Sequence, residues 1–218
     1  MDVKTIRVKK DILSANTRTA EQIRSGLDKH HVRMINFMSS PGSGKTSLIM
    51  RTIDHFKSFY SMAVIEGDIA SSIDAEKISQ LSVRAIQINT GGGCHLNANM
   101  IEKSLADLEL DHLDFVFIEN VGNLVCTAEI DLGAHKNVVI LSIPEGDDKP
   151  YKYPTIFLEA DIVLVNKRDV LPYFDFDLET FPEIINGLNP SATVLSVSAK
   201  TGEGLDDWFS WIEQMLAS

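Results

Sequence analysis

Seven short apolar runs divide most of the chain, and segments with helical spacing separate them. The runs are almost continuously apolar and rich in β-branched residues, a pattern typical of strands that are buried on both faces of a sheet. They lie at residues 34–38, 62–65, 83–88, 115–118, 138–143, 162–165 and 193–197. The segments between them are long enough for helical crossovers. This alternation predicts an α/β fold with a mostly parallel central sheet and helices on both faces.

The first thirty residues have a different pattern. Their apolar positions recur among polar ones at a roughly helical spacing, at Ile12, Leu13, Ala20, Ile23 and Leu27. We therefore predict one or two helices in residues 1–30 that pack on a main domain of residues 31–218. His30 and His31 end the segment; a metal role is one interpretation, and a pair of cations at a helix C-terminus is the favoured one.

The turn after the first apolar run carries the clearest chemistry. It reads Ser-Ser-Pro-Gly-Ser-Gly-Lys-Thr over residues 39–46, with Ser39 where a glycine is usual. Glycines let backbone N–H groups close around a polyanion at a helix N-terminus. The turn therefore predicts a P-loop, and with it a three-layer P-loop NTPase fold. The predicted phosphate contacts are Pro41, Gly42, Ser43, Gly44, Lys45, Thr46 and Ser47.

Two carboxylates follow other apolar runs at the same edge of the predicted sheet. Asp68 comes after the second run and Glu119 directly follows the fourth. Ligands of such sheets bind beyond the carboxyl ends of the strands, and phosphate-bound Mg²⁺ takes one or two carboxylates together with a P-loop hydroxyl. We therefore expect Thr46, Asp68 and Glu119 to hold Mg²⁺.

The same loops are expected to govern hydrolysis. Lys45, which is long enough to reach the outer phosphates, is predicted to be catalytic together with Asp68 and Glu119. The N–H of Gly122 is placed to sense a γ-phosphate. No glutamine follows Gly122 to position the attacking water, so we expect slow intrinsic hydrolysis, with Asp68 or Asp74 aligning the water.

A base-recognition motif follows the sixth apolar run. In Asn166-Lys167-Arg168-Asp169 the final carboxylate can accept both N–H donors of a guanine edge, which adenine does not offer. Each such charge-assisted bond contributes roughly 1.5–3 kcal/mol. Asn166 and the stem of Lys167 are expected to shape the ring pocket. Three residues after the seventh run complete it: Ser198, Ala199 and Lys200. The sequence therefore predicts a guanine-nucleotide site.

Both cysteines of the protein fall in loops at this edge of the sheet. Cys94-His95 follows the third run, and Cys126 lies four residues past Gly122. Thiolate and imidazole ligands suit Ni²⁺ or Zn²⁺. Three ligands leave a tetrahedron open, as in a transfer site or a site shared across a two-fold dimer. On spacing alone, buried structural cysteines are the competing interpretation. Asp131 and His135 are candidates for outer partners of the ligands or ordinary loop residues.

Composition narrows the range of partners and locations. The chain has 31 acidic and 20 basic residues and a formal net charge of −11, which argues against binding to nucleic acid. It contains no run of eighteen apolar residues, so no membrane span is predicted. The start lacks an apolar secretory core and the chain has only two cysteines, which predicts a reducing cytoplasm.

From about Met34 onward the chain resembles the hydrogenase-maturation nickel-insertion GTPases, the HypB family. The resemblance depends on six motifs: those at 39–46 and 166–169, Glu-Gly-Asp at 66–68, Asn-Thr-Gly-Gly-Gly-Cys-His-Leu at 89–96, Glu-Asn-Val-Gly-Asn-Leu-Val-Cys at 119–126, and Glu-Gly-Asp-Asp-Lys-Pro at 145–150. It implies a fold of the class that includes the signal-recognition GTPases and GTP-dependent homodimerisation. It also implies a metal site of Cys94, His95 and Cys126 at or near the dimer interface.

The resemblance further implies a metallochaperone switch that uses GTP, GDP, Mg²⁺ and Ni²⁺ or Zn²⁺. Its expected partners are another hydrogenase-maturation metallochaperone and the precursor of a hydrogenase large subunit. Residues 1–33 hold no cysteine, so an N-terminal high-affinity nickel site is not expected. Lys149 is expected either to reach a partner subunit or phosphate, or to be solvated.

Three alternative functions differ from a hydrogenase-maturation GTPase, either in the protein that receives the metal or cofactor or in the class of activity. A urease-accessory or cobalamin-mutase GTPase would be the same kind of switch with another client. A small-molecule kinase would transfer the γ-phosphate to an acceptor, and the guanine motif ending at Asp169 argues against it. A nucleotide-dependent binding module would have no nickel role and no hydrolysis.

Overall fold

The structure is a computed structural model that describes residues 8–68, 78, 81 and 83–216. Asp74, a sequence candidate for aligning the water, lies outside the described residues. Among the helices in the described ranges, none has the length and apolar character that a membrane span requires.

Seven strands of the described chain form one sheet, and each corresponds to one of the seven apolar runs. They are β1 Arg33–Ser39, β2 Met62–Asp68, β3 Arg84–Asn89, β4 Phe115–Glu119, β5 Lys136–Ser142, β6 Ile162–Asn166 and β7 Thr193–Ser196. Their spatial order is β3-β2-β4-β1-β5-β6-β7, and every neighbouring pair is parallel. The prediction of a mostly parallel sheet is confirmed. Because β1 lies between β4 and β5, the loops that follow β1 and β4 meet at one edge.

Helices cover both faces of the sheet. They are α1 Val8–Lys29, α2 Lys45–Phe56, α3 Ala98–Leu105, α4 Lys149–Lys152, α5 Pro154–Leu158, α6 Phe181–Leu188 and α7 Leu205–Leu216. Apolar residues of α2 and α7 fill the core on one face. On the other face, α1 and α3 cover β2 and β4, while α5 and α6 cover β5 and β6. The predicted three-layer architecture is therefore confirmed.

The predicted N-terminal helix is present as a single helix, α1. Ala20, Ile23 and Leu27 are buried in one apolar cluster with residues of β2, β4 and α3. Asn16 Oδ1 also accepts a hydrogen bond from the N–H of Ala98, the first residue of α3, at 2.9 Å. These contacts fix α1 on the sheet. The division of the chain at residue 30 stays a prediction.

Two loop residues considered as outer metal partners instead make their described contacts with α1 and β1. Asp131 pairs with Arg24 of α1 at 2.9 Å. His135 Nδ1 accepts the N–H of Met34 at 2.9 Å, and its Nε2 lies 3.2 Å from Asp28 Oδ1. Burial lowers the pKa of His135 against the opposing effect of Asp28. Both residues therefore hold the N-terminal helix.

His30 and His31 lie directly after the C-terminal end of α1. His30 Nδ1 lies 2.6 Å from Asp111 Oδ1, and His31 takes a left-handed conformation that ends the segment before β1. Within the described residues, the only cluster of three or more potential metal ligands lies elsewhere, at the cysteines. The metal interpretation therefore gains no support from the described residues, and the cation pair at the helix C-terminus stays a prediction.

The fifth strand ends one residue earlier than its apolar run. Ile143 begins a short 3-10 turn, Ile143–Glu145, because Pro144 has no N–H to continue the strand ladder. The Ser142 and Glu145 side chains form a capping box around this turn. The chain is thereby redirected towards the P-loop.

Candidate functional site

The P-loop connects the end of β1 to the start of α2. Gly42 and Gly44 have φ angles of 79° and 97°, which explains why glycine is needed at these two positions. A Cβ on Gly44 would lie 2.5 Å from Asn166 Nδ2. Ser39, where a glycine is usual, is the buried last residue of β1 and accepts a hydrogen bond from Lys45 Nζ at 3.1 Å. Lys45 is thus held inside the loop, next to the expected position of the phosphates.

Hard oxygen ligands come together beside the P-loop. The Thr46 hydroxyl donates to Glu119 Oε1 at 2.6 Å, and Glu119 is only 4% exposed at the end of β4. Asp68 ends the adjacent strand β2, at the same edge of the sheet. A hydroxyl and carboxylates at one sheet edge are the donor set that Mg²⁺ prefers. The predicted residues therefore fit this ion.

Sequence reasoning missed one carboxylate in this group, Glu66. It is 3% exposed and stands in register with Glu119 on the neighbouring strand, so both side chains leave the sheet on the same face. Asp68 lies two residues further along β2 and shares that face. The two-residue spacing within Glu-Gly-Asp was the available signal. Carboxylates buried side by side favour a cation or a shared proton between them.

Gly122 brings the loop after β4 against the P-loop. A Cβ at this position would lie 3.0 Å from both the N and the Cα of Pro41. No side chain fits there without displacing the P-loop backbone. The residue predicted to sense the γ-phosphate therefore lies in direct contact with the phosphate-binding turn.

The guanine motif lines a cavity of about 650 Å³ beside α2. Asp169 Oδ1 accepts a hydrogen bond from Ser198 Oγ at 2.7 Å, which orients the carboxylate. Lys167 takes a left-handed conformation with φ 62°, and its Nζ donates to Gly42 O at 2.7 Å. The cavity is also lined by the P-loop and base-loop residues Gly44, Ser47, Ala199 and Lys200. The structure thus brings both halves of the predicted nucleotide site together.

Asn166 connects these two halves. Its Nδ2 donates to Ser43 O at 2.9 Å, and its Oδ1 accepts the N–H of Ala199 at 3.1 Å. Its amide is therefore used for positioning the loops. Arg51 of α2 adds a clamp that the sequence did not indicate, donating to Ala199 O at 2.8 Å and to Lys200 O at 2.9 Å.

Glu145 supports the P-loop from behind, and sequence reasoning gave it no role. Its Oε2 accepts hydrogen bonds from Ser43 Oγ at 2.7 Å and from the N–H and hydroxyl of Ser142 at 2.8 and 2.6 Å. Its backbone oxygen accepts from Lys149 Nζ at 2.7 Å. Lys149 therefore contacts its own loop, rather than being solvated. The motif Glu-Gly-Asp-Asp-Lys-Pro was the available signal.

Cys94, His95 and Cys126 form the predicted cluster. Their ligand atoms all lie within 4.8 Å of one another, and the side chains are half-buried. Cys94 Sγ is 3.6 Å from His95 Nδ1. The pKa of the Cys126 thiol is raised, chiefly by its hydrogen bond with Cys94 and then by burial. The soft donor set fits Ni²⁺ or Zn²⁺, whose binding would release thiol protons.

Comparison with known proteins identifies the family. The family model for the CobW/HypB/UreG nucleotide-binding domain matches residues 33–196. The chain belongs to the CobW/HypB/UreG family. It is 50% identical over 210 residues to the hydrogenase maturation factor HypB of Rhizobium leguminosarum bv. viciae, which covers 95% of this chain and 70% of the relative. The predicted resemblance to HypB proteins is confirmed.

A second relative, the hydrogenase/urease maturation factor HypB of Helicobacter hepaticus, is 42% identical over 221 residues, which covers 100% of this chain and 90% of the relative. The crystal structure of HypB from Helicobacter pylori in complex with nickel matches with a TM-score of 0.88 and 40% identity, over 93% of this chain and 95% of that one. The CobW/HypB/UreG chain described here thus shares its fold with a HypB protein over most of both chains.

The expected relation to signal-recognition GTPases holds at the level of the fold. The signal recognition particle receptor FtsY from Elizabethkingia anophelis matches with a TM-score of 0.55 at 16% identity, over 83% of this chain and 65% of that one. The CobW/HypB/UreG family consists of P-loop GTPases, and the chain belongs to that class through its family.

Proposed function

We propose that this protein is a GTP-hydrolysing metallochaperone switch that helps to insert nickel into a hydrogenase precursor. One observation carries the proposal: three soft ligand atoms lie within 4.8 Å of one another at the nucleotide edge of the sheet. One of them belongs to Cys126, four residues beyond Gly122, which packs on the P-loop at Pro41. A metal site and a phosphate site thus share one loop.

GTP is proposed to bind across the P-loop and the guanine pocket. Asp169, held by Ser198, would accept the guanine donors, and Lys45 would turn from Ser39 towards the β- and γ-phosphates. The other proposed contacts are Pro41, Gly42, Ser43, Gly44, Thr46, Ser47, Gly122, Asn166, Lys167, Ala199 and Lys200. Preorganised donors of this kind are the main source of catalysis in phosphoryl transfer.

Mg²⁺, when bound, would neutralise the charge that develops on the phosphate oxygens. Thr46 and Glu119 would hold it, with Asp68 as a direct or water-mediated ligand. We propose Lys45, Asp68 and Glu119 as the catalytic residues. Hydrolysis should be slow, since Gly122 is followed by Asn123 rather than by a residue suited to aligning water.

The nucleotide state would control the metal through the loop that contains both Gly122 and Cys126. When a γ-phosphate draws the Gly122 N–H inward, Cys126 moves relative to Cys94 and His95. Such a coupling is reciprocal, so metal must alter GTP affinity by the same factor. Hydrolysis would reset the loop and release nickel towards its acceptor.

The remaining proposals concern assembly and location. An open three-ligand site suits metal transfer or completion by a second copy, and we propose a GTP-dependent homodimer. Proposed partners are another maturation metallochaperone and a hydrogenase large-subunit precursor. Residues 1–30 would form a helical segment on a GTPase domain of residues 31–218, in the cytoplasm.

The test is calorimetry of Ni²⁺ and Zn²⁺ with GDP and with a non-hydrolysable GTP analogue, alongside light scattering and single-turnover phosphate release. We expect nickel affinity to depend on the nucleotide, dimer to form with the analogue, and slow phosphate release that Lys45→Ala abolishes. Metal binding that is absent, or equal with both nucleotides, would contradict the switch.

A further inference from the structure

Three amide side chains, two of them buried and the third partly exposed, form a row beneath the nucleotide edge. Asn120, 2% exposed, directly follows β4 and donates from Nδ2 to Asn36 Oδ1 at 3.2 Å. Asn36 is also 2% exposed, and it donates from Nδ2 to Asn137 Oδ1 at 3.0 Å. The backbone N–H of Asn120 is fixed separately, donating to Phe37 O at 3.0 Å. The Asn120 side chain is therefore held by the central strands of the sheet.

The other end of the Asn120 amide contacts two functional loops at once. Its Oδ1 accepts the N–H of Val121 at 2.9 Å and the N–H of Leu96 at 3.4 Å. Val121 immediately precedes Gly122, and Leu96 immediately follows His95. One oxygen atom therefore joins the loop that packs on the P-loop to the loop that carries two of the three metal ligands.

The loop of Cys94 and His95 also rests on β2. The N–H of Thr90 donates to Asp68 O at 3.0 Å. A Cβ on Gly67 would lie 2.7 Å from Leu96 Cδ1, so the Leu96 side chain packs directly on the backbone of β2. The metal loop is thus supported by the ends of both strands that carry the proposed Mg²⁺ carboxylates.

The two hydrogen bonds that Asn120 Oδ1 accepts differ in length. The bond from Val121 has ordinary length, whereas the 3.4 Å bond from Leu96 is near the limit of a hydrogen bond. Because one oxygen accepts both bonds, a displacement of Val121 with the Gly122 loop changes the acceptor that Leu96 shares. The bond from the amide nitrogen to Asn36 limits the rotation of the side chain and keeps its oxygen between the two loops.

We propose that Asn120 is a positioning residue that transmits the nucleotide state from the Gly122 loop to the Cys94-His95 pair. The proposal rests on the switch function proposed above and names the contact through which that switch acts. Asn120 is 2% exposed, does not line the guanine cavity and is not one of the three clustered metal-ligand candidates. It acts through its shared oxygen, which sets the position of His95 relative to Cys126.

The first experiment compares nickel affinity with GDP and with a non-hydrolysable GTP analogue in wild type, Asn120→Ala and Asn137→Ala. We expect the wild-type affinities to differ by about fivefold or more. In Asn120→Ala the ratio should fall to near one, because the link is lost in both states. Asn137→Ala breaks the same amide row without touching either loop, so its ratio should stay at the wild-type value.

A merely structural role for Asn120 would weaken nickel binding equally with both nucleotides and leave the ratio unchanged. That result would overturn the inference while leaving the switch intact. A wild-type ratio of one would instead refute the switch, and the inference with it. The two failures are therefore distinguishable.

A second measurement needs no variant and applies even if Asn120→Ala does not fold. Hydrogen exchange at the Val121 and Leu96 amides of wild-type protein is followed by NMR, without metal, in the GDP and analogue states. We expect the protection of both amides to change together. A response at Val121 with none at Leu96, or no response at Leu96 at all, would overturn the proposal.

Discussion

The guanine pocket and the metal edge lie on opposite sides of the P-loop and are built differently. In the guanine pocket, polar side chains are fixed by short bonds: Ser198 orients Asp169 at 2.7 Å, and Arg51 clamps Ala199 O at 2.8 Å. At the metal edge the ligands are half-buried and lie within 4.8 Å of one another, and the bonds that hold them are made by the backbone of their loops: Thr90 N–H to Asp68 O at 3.0 Å, Cys126 N–H to Asn123 Oδ1 at 2.9 Å and Leu96 N–H to Asn120 Oδ1 at 3.4 Å. One side is preorganised and the other is adaptable.

This difference follows from what each side must do. Base selection depends on donors and acceptors that do not move, because an adaptable pocket would accept adenine at little cost. A metal site that must both bind and release needs two arrangements of similar free energy. The sheet supplies both conditions: β6 is buried along its length, whereas β3, which leads to Cys94, is a partly exposed edge strand.

The largest expected effect is a loss of GTP affinity caused by a change in the guanine pocket. Asp169→Asn removes the charge of the proposed acceptor for two guanine N–H groups, so GTP affinity should fall by at least about 100-fold. Xanthosine triphosphate, which has an acceptor where guanine has its exocyclic donor, should bind the variant better than GTP does. Competition titration with a fluorescent nucleotide measures both affinities.

The matched control for this change is Asp175→Asn, which removes the same charge from an exposed position in a nearby segment. It should leave both nucleotide affinities at wild-type values. Equal loss in the two variants would mean that general charge, rather than base recognition, explains the effect.

The next largest effect is a loss of nickel affinity caused by a change at the metal edge. Cys126→Ser replaces a thiolate by a poor ligand for soft metals, and nickel affinity should fall by about 10- to 100-fold. GTP affinity measured without metal should change little, because Cys126 lies outside the guanine pocket. Calorimetry with Ni²⁺ provides the measurement, and Asp131→Asn, whose carboxylate pairs with Arg24, is the control. Wild-type nickel affinity in Cys126→Ser would exclude Cys126 as a ligand.

A smaller effect is expected from the support behind the P-loop. Glu145→Ala removes the shorter of the two hydrogen bonds of the Ser43 hydroxyl, leaving the one to Ser40 O at 3.0 Å. We expect GTP and GDP to bind about tenfold more weakly because the turn is less well ordered. Nickel affinity without nucleotide should be unchanged. Asp147→Asn, in the same loop, serves as the control. A variant that binds nucleotides normally would show that the P-loop is rigid without this support.

The fold could be predicted because strands buried on both faces leave an unambiguous apolar signal. The P-loop and the guanine motif are contiguous in sequence, so their chemistry was visible without a structure. Glu145 and Arg51 were missed because they act on backbone or side-chain atoms that are 102 and 148 residues away in the chain. Only the packing of distant loops reveals such contacts.

Glu66 and Asn120 illustrate a second reason why some functional candidates could not be predicted from the sequence. Both are buried polar residues at strand ends, where a sequence shows a charge or an amide but not its partner. The register of β2 with β4 places Glu66 beside Glu119, and the sheet order places Leu96 within reach of Asn120. The partner of His30, Asp111, was not visible for the same reason, because it lies far away in sequence.

The smallest effect tests whether acid loosens the contact between α1 and the sheet at His135, which lies beside the start of β1. Burial lowers the pKa of His135 in the folded state, where its Nδ1 accepts the Met34 N–H and its Nε2 lies 3.2 Å from Asp28 Oδ1. In the unfolded chain it titrates near its ordinary pKa of about 6.5. Its stabilising contribution is therefore complete above that pH and is lost as the pH falls towards the lowered folded pKa, since the unfolded state then takes up a proton that the folded state resists.

For wild type we therefore expect the free energy of unfolding to fall below pH 6.5, by at most about 1.4 kcal/mol per pH unit from this residue. His135→Gln should be about 1 kcal/mol less stable at pH 8 and should lose this part of the slope. Urea unfolding between pH 5 and 8 measures both, with exposed His112→Gln as the control. If His135→Gln kept the wild-type slope, another group would be responsible, and the contact between His135 and α1 would not be acid-sensitive.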